Sequence, residues 1–330
     1  MNICKEKGEP ASEHQKKMFD GDIELIQEAE SQIAKFCYYA ARKMSKYQYN
    51  NEQKSTPSLG VIRLDYDYPP APGDIDCPES FPYPVYYKVV PGFTFEMCQT
   101  GLLTEEVEDR FKKSIKWLVD EKRVRGITGD CGFMMHFQRL AREITDIPVF
   151  MSSLCQLPAV TCAYAPKEQI IILTANSKAL EPLRDLIRDE CGVDTFEQRY
   201  HIVGCEDVDG FEAVALGEKV DIKKVEPGVV NKALEALKMY PESRAFVLEC
   251  TELPPYADAI RFKTGLPVFD AITACNFFIG GFQDDVRFGL QNWQQKWDGK
   301  QENYKFGDNL TEAEKESLIN SLRKLSSCQI

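Results

Sequence analysis

Histidine is scarce in this chain of 330 residues, and the signatures of several enzyme classes are missing. The three histidines are His14, His136 and His201, and no His-x-x-x-His pair occurs. Because imidazole pairs are frequent zinc ligands, this scarcity argues against a histidine-rich metal site, and we expect no metal. The G-x-S-x-G, G-x-x-x-x-G-K-[ST] and G-x-G-x-x-G motifs are also missing. Their absence argues against a serine hydrolase, a P-loop enzyme and a Rossmann dinucleotide site.

Basic residues are outnumbered by acidic residues, and long apolar runs are absent. Lys and Arg total 40 against 52 Asp and Glu, which gives a formal net charge of −12 and argues against a nucleic-acid partner. No apolar run is long enough to span a bilayer, so we expect no transmembrane segment. Residues 1–17 are polar and mixed in charge, unlike a signal or transit peptide, and we expect no leader there.

The chain has twelve cysteines but no C-x-x-C pair. In a chain of this length, that pattern argues against a disulfide framework, a zinc ribbon and a thioredoxin-like motif. We therefore expect an intracellular protein of a reducing compartment, the cytoplasm, in which most cysteines are small buried hydrophobic residues.

Two stretches of the sequence match each other without a gap, and each carries one cysteine after an apolar run. Cys131 and Cys250 are 119 residues apart, and the same offset separates the Pro-Val-Phe triplets that begin at Pro148 and Pro267. Such an internal repeat predicts two similar lobes. Since short apolar strands alternate with helical segments, each lobe should contain a parallel sheet, and ligands bind beyond the carboxyl ends of such strands.

The whole pattern predicts an α/β fold with two pseudo-symmetric lobes, flanking helices and an active site in the cleft between the lobes. Apolar residues at helical spacing between Ile26 and Ala40 indicate a helix before the first lobe, and Thr311-Glu-Ala-Glu314 matches a capping box. The predicted parts are a helical N-terminal extension (1–55), a first lobe (56–160 and 265–300), a second lobe (161–264) and a C-terminal helical tail (301–330).

The two repeat cysteines, Cys131 and Cys250, are the predicted catalytic groups. A single cytosolic cysteine is usually structural, and it is the repeat that favours a functional role for this pair. Each follows an acidic residue and is expected to begin a helix, whose N-terminus would lower the thiol pKa below its usual value of about 8.5. Two thiols that face each other across a cleft can remove and return a proton on a carbon acid.

Polar and aromatic residues after the first strand are candidate substrate contacts. Arg63 could pair with a substrate carboxylate, or with Asp65 or Asp67. Tyr66 and Tyr68 could face a cationic substrate through their rings, or pack the long loop that contains them.

Other candidates lie at the expected ends of strands and starts of helices. Thr251 could offer its hydroxyl and backbone N–H to a carboxylate, or act only as a helix cap. The remaining candidate substrate contacts are Ser152, Thr174, Asn176 and Thr273.

Four segments and the helical N-terminal extension together carry a family resemblance. The segments are Gly60-Val-Ile-Arg-Leu-Asp-Tyr-Asp-Tyr-Pro-Pro70, Pro91-Gly-Phe-Thr-Phe95, Thr128-Gly-Asp-Cys-Gly-Phe-Met134 and Glu249-Cys-Thr-Glu-Leu-Pro254. The last is similar to the second-cysteine motif of aspartate racemases, and the paired lobes resemble the aspartate/glutamate racemase superfamily. Over residues 58–285, the longer pattern resembles the algal and coral dimethylsulfoniopropionate lyases of the Alma type.

This resemblance implies a homotetramer that cleaves dimethylsulfoniopropionate, a small carboxylate, into dimethyl sulfide and acrylate without a cofactor, using Cys131 and Cys250. A thiolate would take the α-proton, and the sequence leaves open which cysteine is the base. Amino-acid racemases commonly carry Cys-Asn-Thr at the first motif, whereas Gly132 follows Cys131 here, which argues against amino-acid racemisation. The alternatives are a cofactor-independent racemase of aspartate, glutamate or a related carbon acid, and a non-catalytic protein that binds a small acid.

Overall fold

The computed structural model describes residues 56–213, 216, 218–283 and 310–327, and the predicted N-terminal extension lies outside them. The elements up to the first Pro-Val-Phe triplet are strand β1 (Leu59–Arg63), strand β2 (Val85–Val89), helix α1 (Phe95–Thr100), helix α2 (Glu105–Asp120), strand β3 (Gly126–Gly129), helix α3 (Gln138–Ile144) and strand β4 (Val149–Phe150). They are followed by helix α4 (Leu157–Cys162), strand β5 (Gln169–Thr174), helix α5 (Ser177–Leu180), helix α6 (Arg184–Cys191), strand β6 (Tyr200–Gly204), helix α7 (Ile222–Met239), strand β7 (Ser243–Leu248), helix α8 (Ala257–Thr264), strand β8 (Val268–Phe269) and helix α9 (Ala271–Gly280).

The strands form two parallel sheets with the same connectivity. The first sheet has the order β2-β1-β3-β4, and the second has the order β6-β5-β7-β8. The central strands are almost wholly apolar and buried, as expected where both faces of a parallel sheet are covered. Two lobes of the α/β class, predicted from the 119-residue offset, are therefore confirmed.

One part of the predicted lobe boundary is wrong. The sequence interpretation assigned residues 265–300, and with them the second Pro-Val-Phe triplet, to the first lobe. Strand β8 instead pairs with β7 in the second sheet, with Phe246 opposite Val268 and Val247 opposite Phe269. The repeat itself explains this placement, because β4 occupies the same edge position in the first sheet.

The segments that follow the two edge strands pack against the opposite lobe. After β4, Leu154 and Leu157 join the apolar cluster that contains Ile170 and Ile172 of the second sheet. After β8, helix α9 covers the first sheet, and the rings of Phe150 and Phe278 meet edge to face at 5.3 Å. This exchange buries apolar side chains of both lobes together, so that the lobes fix each other's position.

The long Pro- and Tyr-rich loop after β1 is held by its own polar groups. The Tyr68 hydroxyl donates to the Asp74 carboxylate at 2.8 Å, and the Ser80 hydroxyl donates to the Asp74 carbonyl at 2.6 Å. Ile75 is buried beneath the loop against β1. The loop therefore has a fixed path beside the carboxyl end of the first sheet.

Helix α10 (Glu312–Ser327) is the element described beyond residue 283. Its predicted capping box is confirmed, because the Glu314 N–H donates to Thr311 Oγ1 at 3.3 Å and the Thr311 N–H donates to the Glu314 carboxylate at 2.8 Å. Across the residues that the structure describes, no helix combines the length and apolar character that crossing a membrane requires.

The contact between Gly126 and Phe278 predicts a stability effect. A Cβ on Gly126 would lie 2.1 Å from the Phe278 ring, so Gly126→Ala should push helix α9 away from β3. We expect overpacking to lower the free energy of unfolding by about 1–3 kcal/mol, measured by chemical denaturation. Gly280→Ala is the matched control, since a Cβ there meets open space and alanine favours the helix. Equal stability of the two variants would mean that Phe278 moves aside without loss.

Candidate active site

The two repeat cysteines line a single cavity of about 330 Å³. Cys131 lies just beyond β3 and Cys250 just beyond β7, at the carboxyl ends of central strands of the two sheets. Each residue is buried, yet both contribute to the cavity wall. This is the edge of a parallel sheet at which ligands bind.

The two cysteine loops are joined directly by hydrogen bonds. The Thr251 hydroxyl donates to the Asp130 carbonyl at 2.5 Å, across the boundary between the lobes. The Ser153 hydroxyl donates to the carbonyls of Leu248 and Glu249 at 2.7 and 3.1 Å. These buried bonds hold the ends of β3 and β7 at a fixed distance from each other.

Gly132 permits the closest approach between the loops. A Cβ at this position would lie 1.9 Å from Glu249 Oε1 and 2.5 Å from the Glu249 carbonyl oxygen. Every residue other than glycine would therefore displace the Glu249 side chain or separate the loops. The cavity wall beside Cys131 is thus formed by a carboxyl group from the other lobe.

The expectation that helix N-termini lower the thiol pKa values is wrong for this site. Cys131 precedes a short 3-10 turn (Gly132–Phe137), and Cys250 is separated from helix α8 by the 3-10 turn Pro254–Tyr256. The pKa of Cys131 is raised by its hydrogen bond with the Cys98 thiol and by burial. Burial and the nearby carboxylates Glu252 and Glu249 raise the pKa of Cys250.

The thiols have different hydrogen-bond partners. The Cys250 Sγ donates to Glu252 Oε2 at 2.8 Å, and the Thr251 hydroxyl donates to the same oxygen at 3.3 Å. The Cys131 thiol instead shares a hydrogen bond with the thiol of Cys98, a fully buried residue of helix α1. No sequence pattern singled out Glu252 or Cys98, since most cysteines are expected to be small buried hydrophobic residues.

An acidic residue precedes each cysteine, and both line the cavity. Asp130 Oδ2 accepts a hydrogen bond from the Leu64 N–H at 3.0 Å, and Glu249 Oε2 accepts one from the Thr174 hydroxyl at 2.7 Å. Burial raises the pKa of Glu249 to about 7 and also raises the pKa of Asp130. The sequence interpretation noted these positions but did not assign them a role in the site.

Arg63 is not available for a substrate carboxylate, which corrects the first of its two predicted roles. Its Nε donates to Asp76 Oδ2 at 3.0 Å and lies 3.9 Å from Asp130 Oδ2. The alternative partners considered from the sequence, Asp65 and Asp67, are therefore also wrong. Burial raises the pKa of Asp76 to about 6, so Arg63 offsets part of a buried negative charge.

Tyr66, Tyr68 and Asn176 line the cavity as predicted. The two tyrosine rings stack with centroids 5.3 Å apart and an interplanar angle of 29°. The Asn176 side chain is also engaged in the fold, because its Oδ1 accepts the Ala179 N–H at 3.2 Å and caps helix α5.

Four predicted contacts do not line the cavity, and their hydroxyl groups form hydrogen bonds within the fold instead. Thr174 and Thr251 are buried, and their hydroxyls donate to Glu249 and to the Asp130 carbonyl. The Ser152 hydroxyl caps its own 3-10 turn by accepting the Leu154 N–H at 3.3 Å. The Thr273 hydroxyl accepts the Asp270 N–H at 2.7 Å in the capping box of α9.

The outer part of the cavity was not predicted from the sequence. The Glu206 carboxylate accepts hydrogen bonds from the Ser177 hydroxyl, at 2.7 Å, and from the Ser177 N–H. These two bonds and a bond from the Glu206 N–H outweigh burial and lower the pKa of Glu206. Loops without a motif supply this wall, which is why no local signal revealed it. The further lining residues are Leu64, Phe95, Gln99, Phe133, Ala175, Cys205, Phe211 and Glu212.

The charge of the cavity is one-sided. In the described part of the chain, no lysine, arginine or histidine lines it, whereas Asp130, Glu206, Glu212, Glu249 and Glu252 do. Within the same residues, no set of three or more histidine, cysteine or acidic side chains is arranged to hold a metal ion.

Comparisons with known proteins give close relatives by sequence. The chain is 59% identical to dimethylsulfoniopropionate lyase 7 of Emiliania huxleyi (strain CCMP1516), over 80% of this chain and 79% of that protein. It is 52% identical to the dimethylsulfoniopropionate lyase of Durusdinium sp. clade D, over 78% of this chain and 86% of that protein. No family model matches the sequence.

Solved structures with a similar backbone are more distant. A mutant of arylmalonate decarboxylase in its sulfate-associated form is 18% identical, with a TM-score of 0.46, over 68% of this chain and 93% of that chain. Glutamate racemase RacE1 of Bacillus anthracis is 13% identical, with a TM-score of 0.41, over 67% of this chain and 80% of that chain.

The raised thiol pKa values predict slow alkylation of both cavity cysteines. Only the thiolate reacts with iodoacetamide, so at about pH 8 Cys131 and Cys250 should react about tenfold or more slowly than exposed Cys162. Peptide mapping by mass spectrometry measures the three rates. In urea the rates should become similar. Faster reaction of either cavity thiol in the folded protein would contradict the raised pKa.

Proposed function

This chain belongs to the dimethylsulfoniopropionate lyase family, and we propose that it cleaves dimethylsulfoniopropionate into dimethyl sulfide and acrylate without a cofactor. The observation that carries this proposal is the cavity in which Cys131 and Cys250 meet carboxyl groups and aromatic rings. The β-substituent of this substrate is a sulfonium, which is already activated to leave as neutral dimethyl sulfide. A positioned base is therefore sufficient for the chemistry.

The charge of the cavity fits a cationic group. Glu206 keeps a lowered pKa, so its carboxylate supplies negative charge at the cavity wall, and the stacked rings of Tyr66 and Tyr68 offer π faces. A sulfonium is attracted by both features, as ammonium ligands are. A neutral substrate would gain neither interaction.

Cys250 is the better placed base. Its thiol already donates to Glu252, whose pKa burial raises to about 8, so the carboxylate can take the thiol proton. Binding of a sulfonium beside these groups adds positive charge, which lowers the raised pKa of the Cys250 thiol. The substrate itself thereby favours formation of the thiolate.

The reaction is a β-elimination in which one C–H and one C–S bond break. The Cys250 thiolate takes the α-proton, the C–H electron pair forms the α,β double bond, and dimethyl sulfide leaves with the electron pair of the C–S bond. The proton on Cys250 then passes to solvent, and acrylate leaves. Cys131, which shares a hydrogen bond with Cys98 and has no carboxylate acceptor among its hydrogen-bond partners in the described chain, stays protonated and donates a hydrogen bond to the substrate.

Headspace gas chromatography of the purified protein with dimethylsulfoniopropionate tests the activity. We expect dimethyl sulfide and acrylate in equal amounts, and neither product from the Cys131→Ser/Cys250→Ser double variant. Exchange of the α-proton for deuterium without dimethyl sulfide would favour a racemase. Substrate binding with neither reaction would favour a non-catalytic binding protein.

The single thiol variants test the two-cysteine site. Cys250→Ser and Cys131→Ala should each lower turnover by about a hundredfold or more, because the first removes the positioned base and the second removes the hydrogen-bond donor to the developing negative charge. Cys162→Ser is the matched control, since this thiol is exposed on α4 and does not line the cavity. Near-normal turnover by a folded variant of Cys131 or Cys250 would remove that residue from the mechanism.

A further inference from the structure

The substrate of the proposed lyase has a carboxylate that the cavity must hold. No lysine, arginine or histidine lines the cavity within the described residues, and Arg63 is paired with Asp76 behind it. Removal of the α-proton places further negative charge on this carboxylate. The cavity therefore needs hydrogen-bond donors that are not cationic side chains.

Glu249 is a cavity-lining acid with one side-chain oxygen that has no hydrogen-bond partner among the described residues. Its side chain reaches from the end of β7 to the loop of the other lobe, against the backbone of Gly132 and next to Cys131. Oε2 accepts the Thr174 hydroxyl at 2.7 Å, whereas Oε1 is buried and has no hydrogen-bond partner within the part of the chain that the structure describes. A buried polar atom without a partner is costly, and a ligand can satisfy it.

The surroundings of Glu249 disfavour its ionised form. From the first lobe, the titratable groups that face it are the thiols of Cys131 and Cys98 and, across the cavity, the carboxyl group of Asp130. On its own loop, they are Cys250 and Glu252. Each of these is neutral or negative. Burial raises the pKa of Glu249 to about 7, and the hydrogen bond from Thr174 is the one interaction that opposes this shift.

We propose that Glu249 acts as a neutral carboxylic acid whose Oε1–H donates a hydrogen bond to the substrate carboxylate. This assignment rests on the proposed lyase function and names the group that recognises the anionic end of the substrate. The proton stays on Glu249, and the bond strengthens as α-proton removal turns the carboxylate into an enediolate. A carboxylic acid kept neutral in an apolar site serves an oxyanion in this way in other enzymes.

The equivalent acid of the first lobe is placed differently. Asp130 accepts the Leu64 N–H and lies 3.9 Å from the Arg63 guanidinium, whereas Glu249 forms no ion pair among the described residues. The backbone N–H donor and the cation both favour the ionised form of Asp130 relative to an acid without them. Asp130 Oδ1 is also buried without a hydrogen-bond partner among the described residues, and burial raises the Asp130 pKa as well. What distinguishes Glu249 is therefore the lack of a nearby cation among those residues and its packing against Gly132.

Acrylate binding measured by calorimetry as a function of pH tests this assignment without turnover. A protonated Glu249 is required, so the wild-type Kd for acrylate should rise about tenfold between about pH 7 and about pH 8. Glu249→Gln keeps an N–H donor that does not titrate. Its Kd should stay within about threefold of the low-pH wild-type value up to about pH 8, near which Glu252 ionises in both proteins.

Glu242→Gln is the matched control, because it changes an exposed glutamate just before the other end of β7 and should retain the wild-type pH dependence. Circular dichroism melting shows whether each variant is folded. The assignment is overturned if Glu249→Gln keeps the wild-type slope, if the wild-type Kd does not change with pH, or if folded Glu249→Gln or the wild type itself fails to bind acrylate.

The two proposals fail in different ways. If the wild type releases no dimethyl sulfide but acrylate binding follows the expected contrast, the lyase function is wrong and the role of Glu249 as a carboxylate donor stands. If dimethyl sulfide is released and the contrast is missing, the lyase function stands and the Glu249 assignment is wrong.

Discussion

The hydrogen bond from the Thr251 hydroxyl to the Asp130 carbonyl joins the two halves of the cavity, and the geometry of the site depends on it. Each lobe supplies one cysteine on a short loop, and neither loop alone encloses a pocket. The bond, the close packing of Gly132 against Glu249 and the exchange of packing segments after β4 and β8 bring the strand ends together. Hydrogen bonding and packing thereby hold the two halves of the cavity together, which the proposed reaction requires for positioning a thiol against a single C–H bond.

Joining the loops also concentrates buried carboxyl groups, and this determines the electrostatics of the site. Glu249 and Glu252 have pKa values raised to about 7 and about 8, and Arg63 is already used by Asp76. Negative charge in such a place is unfavourable unless a cation or a proton compensates it. A zwitterionic sulfonium compound brings that cation with it. In the proposed function, the carboxyl groups that raise the thiol pKa values would therefore also attract the sulfonium, whose positive charge lowers those pKa values.

The sequence predicted the parts of this structure that depend on local pattern and on the repeat. The 119-residue offset identified two lobes of equal connectivity and placed Cys131 and Cys250 on one cavity. The wrong predictions concern hydrogen-bond and ion-pair partners that tertiary contacts determine. The partner of Arg63 is an aspartate thirteen residues on in a folded loop, and the partner of Thr251 lies 121 residues away. Hydroxyl groups such as Thr174 were predicted to contact the ligand, but packing turned them toward backbone and carboxyl groups behind the wall.

The repeat is symmetric in its backbone and asymmetric in its chemistry. Cys250 is bonded to a carboxyl group and Cys131 to a second thiol, so the two cysteines differ in how readily each can lose a proton. Glycine follows one cysteine and threonine the other, which lets a single acid, Glu249, cross the boundary between the lobes. A racemase needs thiols of matched basicity, because each removes the proton that the other returns. The proposed elimination needs only one base, on one face of the α-carbon. The two cysteine loops therefore need not match, and they differ in sequence and in hydrogen-bond partners.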